Sequence, residues 1–248
     1  MTHSSGLPDH VYDPDFAARL LELGQADPLA TLSPEELVAF VHDDEPLFAP
    51  GQGYAYSDTG YIVLGLVIEA VSEAPYYALL RERFLDPLKL EFTVPSAPRV
   101  DYQAPGYMAE DNPFALPTKT LRDGVMVFNP EIEWTGGGLS TNPADLVRWA
   151  KLLYEGEAIP GEYLDELLGS GVPMEEGGED LYGLGVYILD TPFGRSYGHG
   201  GWFPGYRSQL RYYPDHRIAI ALQTNTDVDV DLNQYVRELT EVLLQELD

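Results

Sequence analysis

The sequence predicts an α+β fold: a helical lobe packed against an antiparallel sheet, closed by a C-terminal helix. Three observations predict it. Apolar residues recur with a helical period through most of residues 1–176. From residue 177 the pattern becomes short alternating runs separated by turn residues. The last stretch, Asp231–Leu247, returns to an amphipathic helical period. A chain of 248 residues suffices for one domain with a full core, and 1–248 reads as a single domain of two lobes, 1–176 and 177–248.

The elements follow in order. Asp13–Leu23 is predicted helical, with Phe16, Leu20, Leu21 and Leu23 on its apolar side. Ser33 caps the next helix, with Pro34 at the first position and Glu36 completing a capping box; Leu37, Phe40 and Val41 would be buried. Pro50–Gly53 is a turn, and Ser57 or Asp58 caps a strongly apolar helix over Tyr61–Val71. Glu73-Ala74-Pro75 opens another, with Tyr76, Leu79, Leu80 and Phe84 inward. Pro95–Asn129 lacks a period and reads as a long loop carrying a strand or two. The glycines of Gly136–Leu139 make a tight turn and allow close packing, and Asn142 caps the helix Pro143–Tyr154. Tyr182–Leu189 reads as one strand, Phe193-Gly194 as a turn, and Ser196–His199 and Tyr206–Tyr213 as strands. Pro214-Asp215-His216 is a hairpin turn before a buried apolar strand, Ile218–Thr224.

Charge excludes two classes of partner. There are 41 acidic against 14 basic residues, a formal net charge of −27. Such a surface repels nucleic acid and anionic membrane. The acids are dispersed and arginine outnumbers lysine, a composition suited to high salt, where self-repulsion is screened. No apolar run approaches the length of a membrane span; Tyr61–Val71, the most apolar stretch, is interrupted by Gly65 and Glu69. The start, Met1–Gly6, lacks the basic and apolar regions of a signal peptide. With no cysteine, disulfides and thiolate chemistry are excluded and the compartment is left open. Asp227, Asp229, Asp231 and Glu238 have calcium-loop spacing, but Leu232 stands where the sharp turn needs glycine, so these acids read as caps of the last helix. No metal or organic cofactor is implied.

Three blocks carry chemistry. The first is Pro50-Gly51-Gln52-Gly53-Tyr54-Ala55-Tyr56-Ser57-Asp58-Thr59-Gly60-Tyr61, the second Gly136-Gly137-Gly138-Leu139-Ser140-Thr141-Asn142-Pro143, and the third Gly198-His199-Gly200-Gly201-Trp202-Phe203-Pro204-Gly205-Tyr206. In this order they resemble the β-lactamase-related serine hydrolases: class C β-lactamases, penicillin-binding proteins, D-alanyl-D-alanine carboxypeptidases, D-aminopeptidases and related esterases. The resemblance implies acyl transfer to a serine and hydrolysis of an ester, β-lactam or D-amino-acid amide, on a small-molecule or peptide-like substrate. Tyr56 matches the family's tyrosine base, which needs a nearby cation to ionise. Asp58 stands where many members carry Asn. His199 would polarise the phenol or meet a substrate carboxylate. Gly200 and Gly201 would let a substrate backbone approach the strand, and the Trp202 backbone N–H matches an oxyanion donor.

The same resemblance implies a nucleophile in Ser-x-x-Lys, and no serine stands three positions before Lys89, Lys119 or Lys151. Thr2–Asp9 resembles the segment that follows the nucleophile helix in the family. Two expectations result: Met1 is an internal methionine of a longer reading frame, or the chain is a non-catalytic homologue with a binding or regulatory role. In either case 1–248 alone is expected to be inactive. The family's front segment also pairs beside the last strand, so Ile218–Thr224 is expected to be a bare apolar edge, with low stability or self-association through it.

Overall fold

The computed structural model describes residues 1–247. Its centre is a six-stranded antiparallel meander of β1 (Val172–Pro173), β2 (Leu181–Tyr182), β3 (Tyr187–Thr191), β4 (Gly194–Phe203), β5 (Tyr206–Tyr213) and β6 (Ile218–Thr224), each paired with the next in sequence. Among the described residues, seven helices of five residues or more pack around it: α1 (Pro14–Ala26), α2 (Pro34–Ala39), α3 (Asp58–Ser72), α4 (Tyr76–Leu88), α5 (Pro143–Tyr154), α6 (Gly161–Gly169) and α7 (Leu232–Leu247). This is the predicted α+β architecture.

Local chemistry explains most boundaries. Ser33 Oγ accepts from the Glu36 amide while Glu36 Oε2 accepts from the Ser33 amide, a closed capping box with Pro34 at the first helical position. Asn142 Oδ1 accepts from the Asp145 amide at 2.9 Å and starts α5. Asp231 Oδ1 accepts from the Asn233 and Gln234 amides, so it caps α7. Alternation sends successive strand residues to opposite faces of the sheet. Leu210 and Tyr212 pack with Ala150 of α5, and Tyr213 and Ile220 pack with Val236 of α7 on the other side. A separate core in the helical lobe gathers Phe16, Leu20, Leu37, Ile62 and Phe128. No single helix among the described residues is long and apolar enough to cross a membrane.

Three local expectations are corrected and one helix is added. Tyr182–Leu189 is not one strand. Gly185 has φ +80°, and the Gly183 amide donates to the Val186 carbonyl, which folds Gly183–Val186 into a turn between β2 and β3. Helix α6 gave no sequence signal because Pro160 precedes it with no side-chain cap and the helix buries none of its residues fully. The segment after Pro75 is helical to Leu88 but widens to a π turn over Arg81–Leu85, just before Pro87, whose ring and missing donor a tight α turn would not tolerate. Finally, β6, read as a buried apolar strand, has only Ile220 fully buried, while its place at the edge of the sheet is the one expected.

Candidate active site

The first ten residues are laced to the start of α3. His3 Nδ1 accepts from the Ser57 amide (3.1 Å), Ser57 Oγ donates to the Pro8 carbonyl (3.1 Å), and the Asp58 amide donates to Asp9 Oδ2 (3.1 Å). The His10 amide donates to Thr59 Oγ1 (2.9 Å), and Tyr61 Oη donates to the Met1 carbonyl (2.8 Å). Each such bond contributes about 0.5–1.5 kcal/mol net, so together they fix where Tyr56 and Asp58 stand. Gly6 makes the turn in this segment, at φ +80°, and a Cβ there would run into the Phe48 carbonyl oxygen. Gly6→Ala is therefore expected to cost about 1–3 kcal/mol in a urea melt; an unchanged midpoint would show that the segment is not pinned.

Tyr54, Tyr56, Tyr61 and Tyr182 surround His3, whose ring centroid lies 4.0 Å from that of Tyr56 and 4.5 Å from that of Tyr182. Because Nδ1 accepts, neutral His3 carries its proton on Nε2, which finds no partner among the described residues. Burial, with His199 adding, holds the His3 pKa down to about 4. On the sheet side, His199 Nδ1 lies 2.5 Å from the Gly200 carbonyl, which can only accept. Its Nε2 therefore accepts from the Tyr182 hydroxyl at 2.9 Å. The His199 ring stacks on Tyr187 at 4.5 Å and stands 6.1 Å from Tyr56.

The electrostatics are one-sided. Burial, the Glu133 charge and the Asp9 charge raise the Asp58 pKa to about 8, against a smaller opposing effect of the neighbouring Tyr56 hydroxyl. Burial and Asp9 raise half-buried Glu133 to about 7. Burial and Asp58 push the Tyr56 phenol well above its ordinary range. No basic side chain is among the causes acting on any of these three groups. A cation placed among them would lower all three pKa values together.

Strand β4 presents an open edge here. Its pairing with β3 ends at Tyr187↔Gly198, whereas its pairing with β5 continues to Phe203↔Tyr206. Residues 199–203 thus overhang, leaving on one side backbone groups that an extended substrate can meet. A Cβ on Gly200 would meet Gln209 Oε1, and one on Gly201 would meet Ser208 Oγ. A side chain at either position would therefore have to displace the end of a neighbouring β5 side chain. Trp202 is 43% exposed and stacks on Phe114.

The structure brings Tyr56, Asp58 and His199 together and places Gly200, Gly201 and Trp202 along the overhang. It also adds His3, Tyr182, Tyr187 and Glu133, which the sequence reading did not assign to the site. Tyr182 and Tyr187 looked like alternating strand residues. Glu133 looked like one more surface acid, and His3 was legible only as part of the Thr2–Asp9 resemblance. Gly136 lies against Asp58 and Ile62, and Thr135 Oγ1 donates to the Tyr61 carbonyl, so the glycine block packs closely as expected.

A family model described as Beta-lactamase matches residues 1–244. The chain belongs to the β-lactamase family. Among its β-lactamase-family relatives, penicillin-binding protein 4* of Bacillus subtilis is 26% identical over 254 residues, covering 98% of this chain and 54% of the relative. A D-aminopeptidase of Brucella anthropi is 26% identical over 204 residues, covering 81% and 37%. The chain thus spans about half the length of the first and little more than a third of the second. A D-stereospecific amidohydrolase from a Streptomyces species superposes with TM-score 0.82 at 27% identity, over 95% of this chain and 69% of that one. A D-amino acid amidase from Ochrobactrum anthropi SV3 shares the fold, with TM-score 0.77 at 23% identity over 100% and 71%.

Proposed function

We propose that this chain forms the tyrosine and histidine walls of a serine hydrolase cleft working through an acyl-enzyme. The observation that carries the reading is the placement of Tyr56, two residues before Asp58 at the start of α3, with its ring 6.1 Å from that of His199 beside the open β4 overhang. A serine oxygen would attack the substrate carbonyl carbon and pass its proton to the Tyr56 side. Backbone donors on the overhang, the Trp202 N–H first, would hold the developing oxyanion. The leaving amine or alcohol would collect the proton, and water would then release the acid.

The reading requires a cation. With its pKa raised by burial, the Tyr56 phenol keeps its proton at neutral pH unless a positive charge stands beside it. The lysine of Ser-x-x-Lys would supply it. Neither that lysine nor its serine lies in these 248 residues, so the reading draws both from outside them. Asp58 and Glu133 hold protons up to pKa values of about 8 and 7, so a cation placed beside them would draw those protons off and meet the carboxylates that result. Two such carboxyls offer a place to a second cation beside the lysine, which favours D-amino-acid amides, with their free α-ammonium, over uncharged esters and anionic β-lactams.

The test compares 1–248 with the longest in-frame product of its gene, using a fluorophosphonate probe, D-phenylalanine p-nitroanilide and its N-acetyl derivative. Labelling of the longer product alone, with the free amine cleaved faster than the acetylated one, supports the reading. A second reading, a non-catalytic homologue, is favoured by Tyr182 occupying His199 Nε2. Labelling of neither form would decide for it.

A further inference from the structure

We propose that Trp202 and Phe114 form the subsite for the side chain on the substrate residue that bears the scissile carbonyl, and that the side chain it takes is aromatic. The subsite rests on the amide-hydrolase reading, which leaves this side chain unspecified. Along the β4 overhang, His199 is followed by Gly200 and Gly201, so the Trp202 indole is the next side chain an extended substrate meets. The gap beside it lies on the β3 side of β4, three strands in from the sheet edge formed by β1 and away from the edge formed by β6.

The indole is held in place. Its ring stacks on Phe114, with centroids 5.9 Å apart and planes 24° apart. Phe114 is itself buried and stands edge-on to Phe16 of α1 at 6.5 Å. Phe203, the next residue of β4, packs on Phe128 at 5.3 Å in the same core. Trp202 nevertheless stays 43% exposed, so an anchored aromatic surface faces outward beside the backbone N–H that would hold the oxyanion. A surface fixed before binding loses little freedom when a ligand covers it. Strand geometry then places the substrate. In an antiparallel pair, a residue whose carbonyl accepts a strand N–H stands directly opposite the donor, with Cα atoms about 5.5 Å apart. A carbonyl held by the Trp202 N–H therefore sets its own residue opposite Trp202, where facing side chains are contact neighbours. Ring pairs favour offset or edge-to-face contact with centroids about 4.5–7 Å apart, so a benzyl group there extends the Trp202–Phe114 stack. A methyl group would leave most of the indole in water.

The test measures kcat/KM for D-phenylalanine amide, D-alanine amide and D-lysine amide on the longest in-frame product and on its Trp202→Ala and Trp202→Phe variants. D-Phenylalanine amide should be preferred over D-alanine amide by about tenfold or more. Trp202→Ala should abolish most of that preference, and Trp202→Phe should retain most of it. Both variants keep the backbone N–H, so the ratio between substrates, and not the absolute rate, reports on the ring. A second readout is independent of turnover. Of the three tryptophans only Trp202 is exposed, so its indole N–H signal in NMR should move on addition of D-phenylalanine and stay with D-alanine. Equal kcat/KM for the phenylalanine and alanine amides, or a ratio that Trp202→Ala leaves unchanged, overturns the proposal while the amide-hydrolase reading stands. A preference for D-lysine amide makes the indole a cation receptor and overturns the aromatic assignment. Hydrolysis of none of the three overturns the amide-hydrolase reading; the indole signal then decides for the subsite if D-phenylalanine moves it and against it if not.

Discussion

Tyr56→Phe is expected to slow acylation by about 10²–10⁴-fold in the form of the protein that takes the fluorophosphonate label. The substitution removes one oxygen and leaves the ring packed against His3, so folding should survive. The loss should fall on kcat, or on the labelling rate constant, rather than on KM, because the phenol acts on the proton in flight and not on substrate binding. His199→Ala is the informative companion. If His199 acts by holding phenols through Tyr182, its loss should be smaller than that of Tyr56 and should move the pH profile. Equal labelling rates for Tyr56→Phe and the parent would remove Tyr56 from the mechanism.

Asp58→Asn is expected to raise stability, and to raise it more as the pH increases. The folded chain holds a proton on Asp58 up to a pKa of about 8 and on Glu133 up to about 7, whereas the unfolded chain releases both near pH 4. Between those limits the folded state binds more protons, so stability falls as pH rises. The histidines act in the opposite direction. Burial lowers His3 to about 4 and also lowers His10 and His199, so each reduces stability only as pH falls below its ordinary value of 6.5. From pH 6.5 to 8 the falling slope belongs to the carboxyls, opposed by the Met1 ammonium, whose pKa burial lowers from its ordinary value of 8.0. Asp58→Asn should remove on the order of 1–2 kcal/mol of the loss that falls between pH 6.5 and 8. In calorimetry this is a Tm gain already present at pH 6.5 that grows by roughly a further 2–6 °C by pH 8. Parallel Tm curves for the two proteins across this range would show that Asp58 is already ionised in the fold. The same measurement bears on function: the need for a cation that destabilises this isolated chain is the need that the proposed lysine and substrate ammonium would meet.

The sequence by itself determined the elements that close their own hydrogen bonds. The caps at Ser33, Asn142 and Asp231, the hairpin at Pro214–His216 and the strands Tyr206–Tyr213 and Ile218–Thr224 were legible because each depends on groups within a few residues of one another. The family blocks around Tyr56 and His199 were legible for the same local reason. Tertiary structure decided the rest. That His3 would sit within a ring of tyrosines, that Glu133 would face Asp58, and that Tyr182 rather than Tyr56 would take His199 Nε2 depends on segments more than fifty residues apart converging on α3 or on Tyr182 of β2 reaching past β3 to His199 of β4. The raised carboxyl and phenol pKa values have the same origin. Desolvation is set by what covers a group, and coverage is a property of the packed chain, which no local spacing encodes.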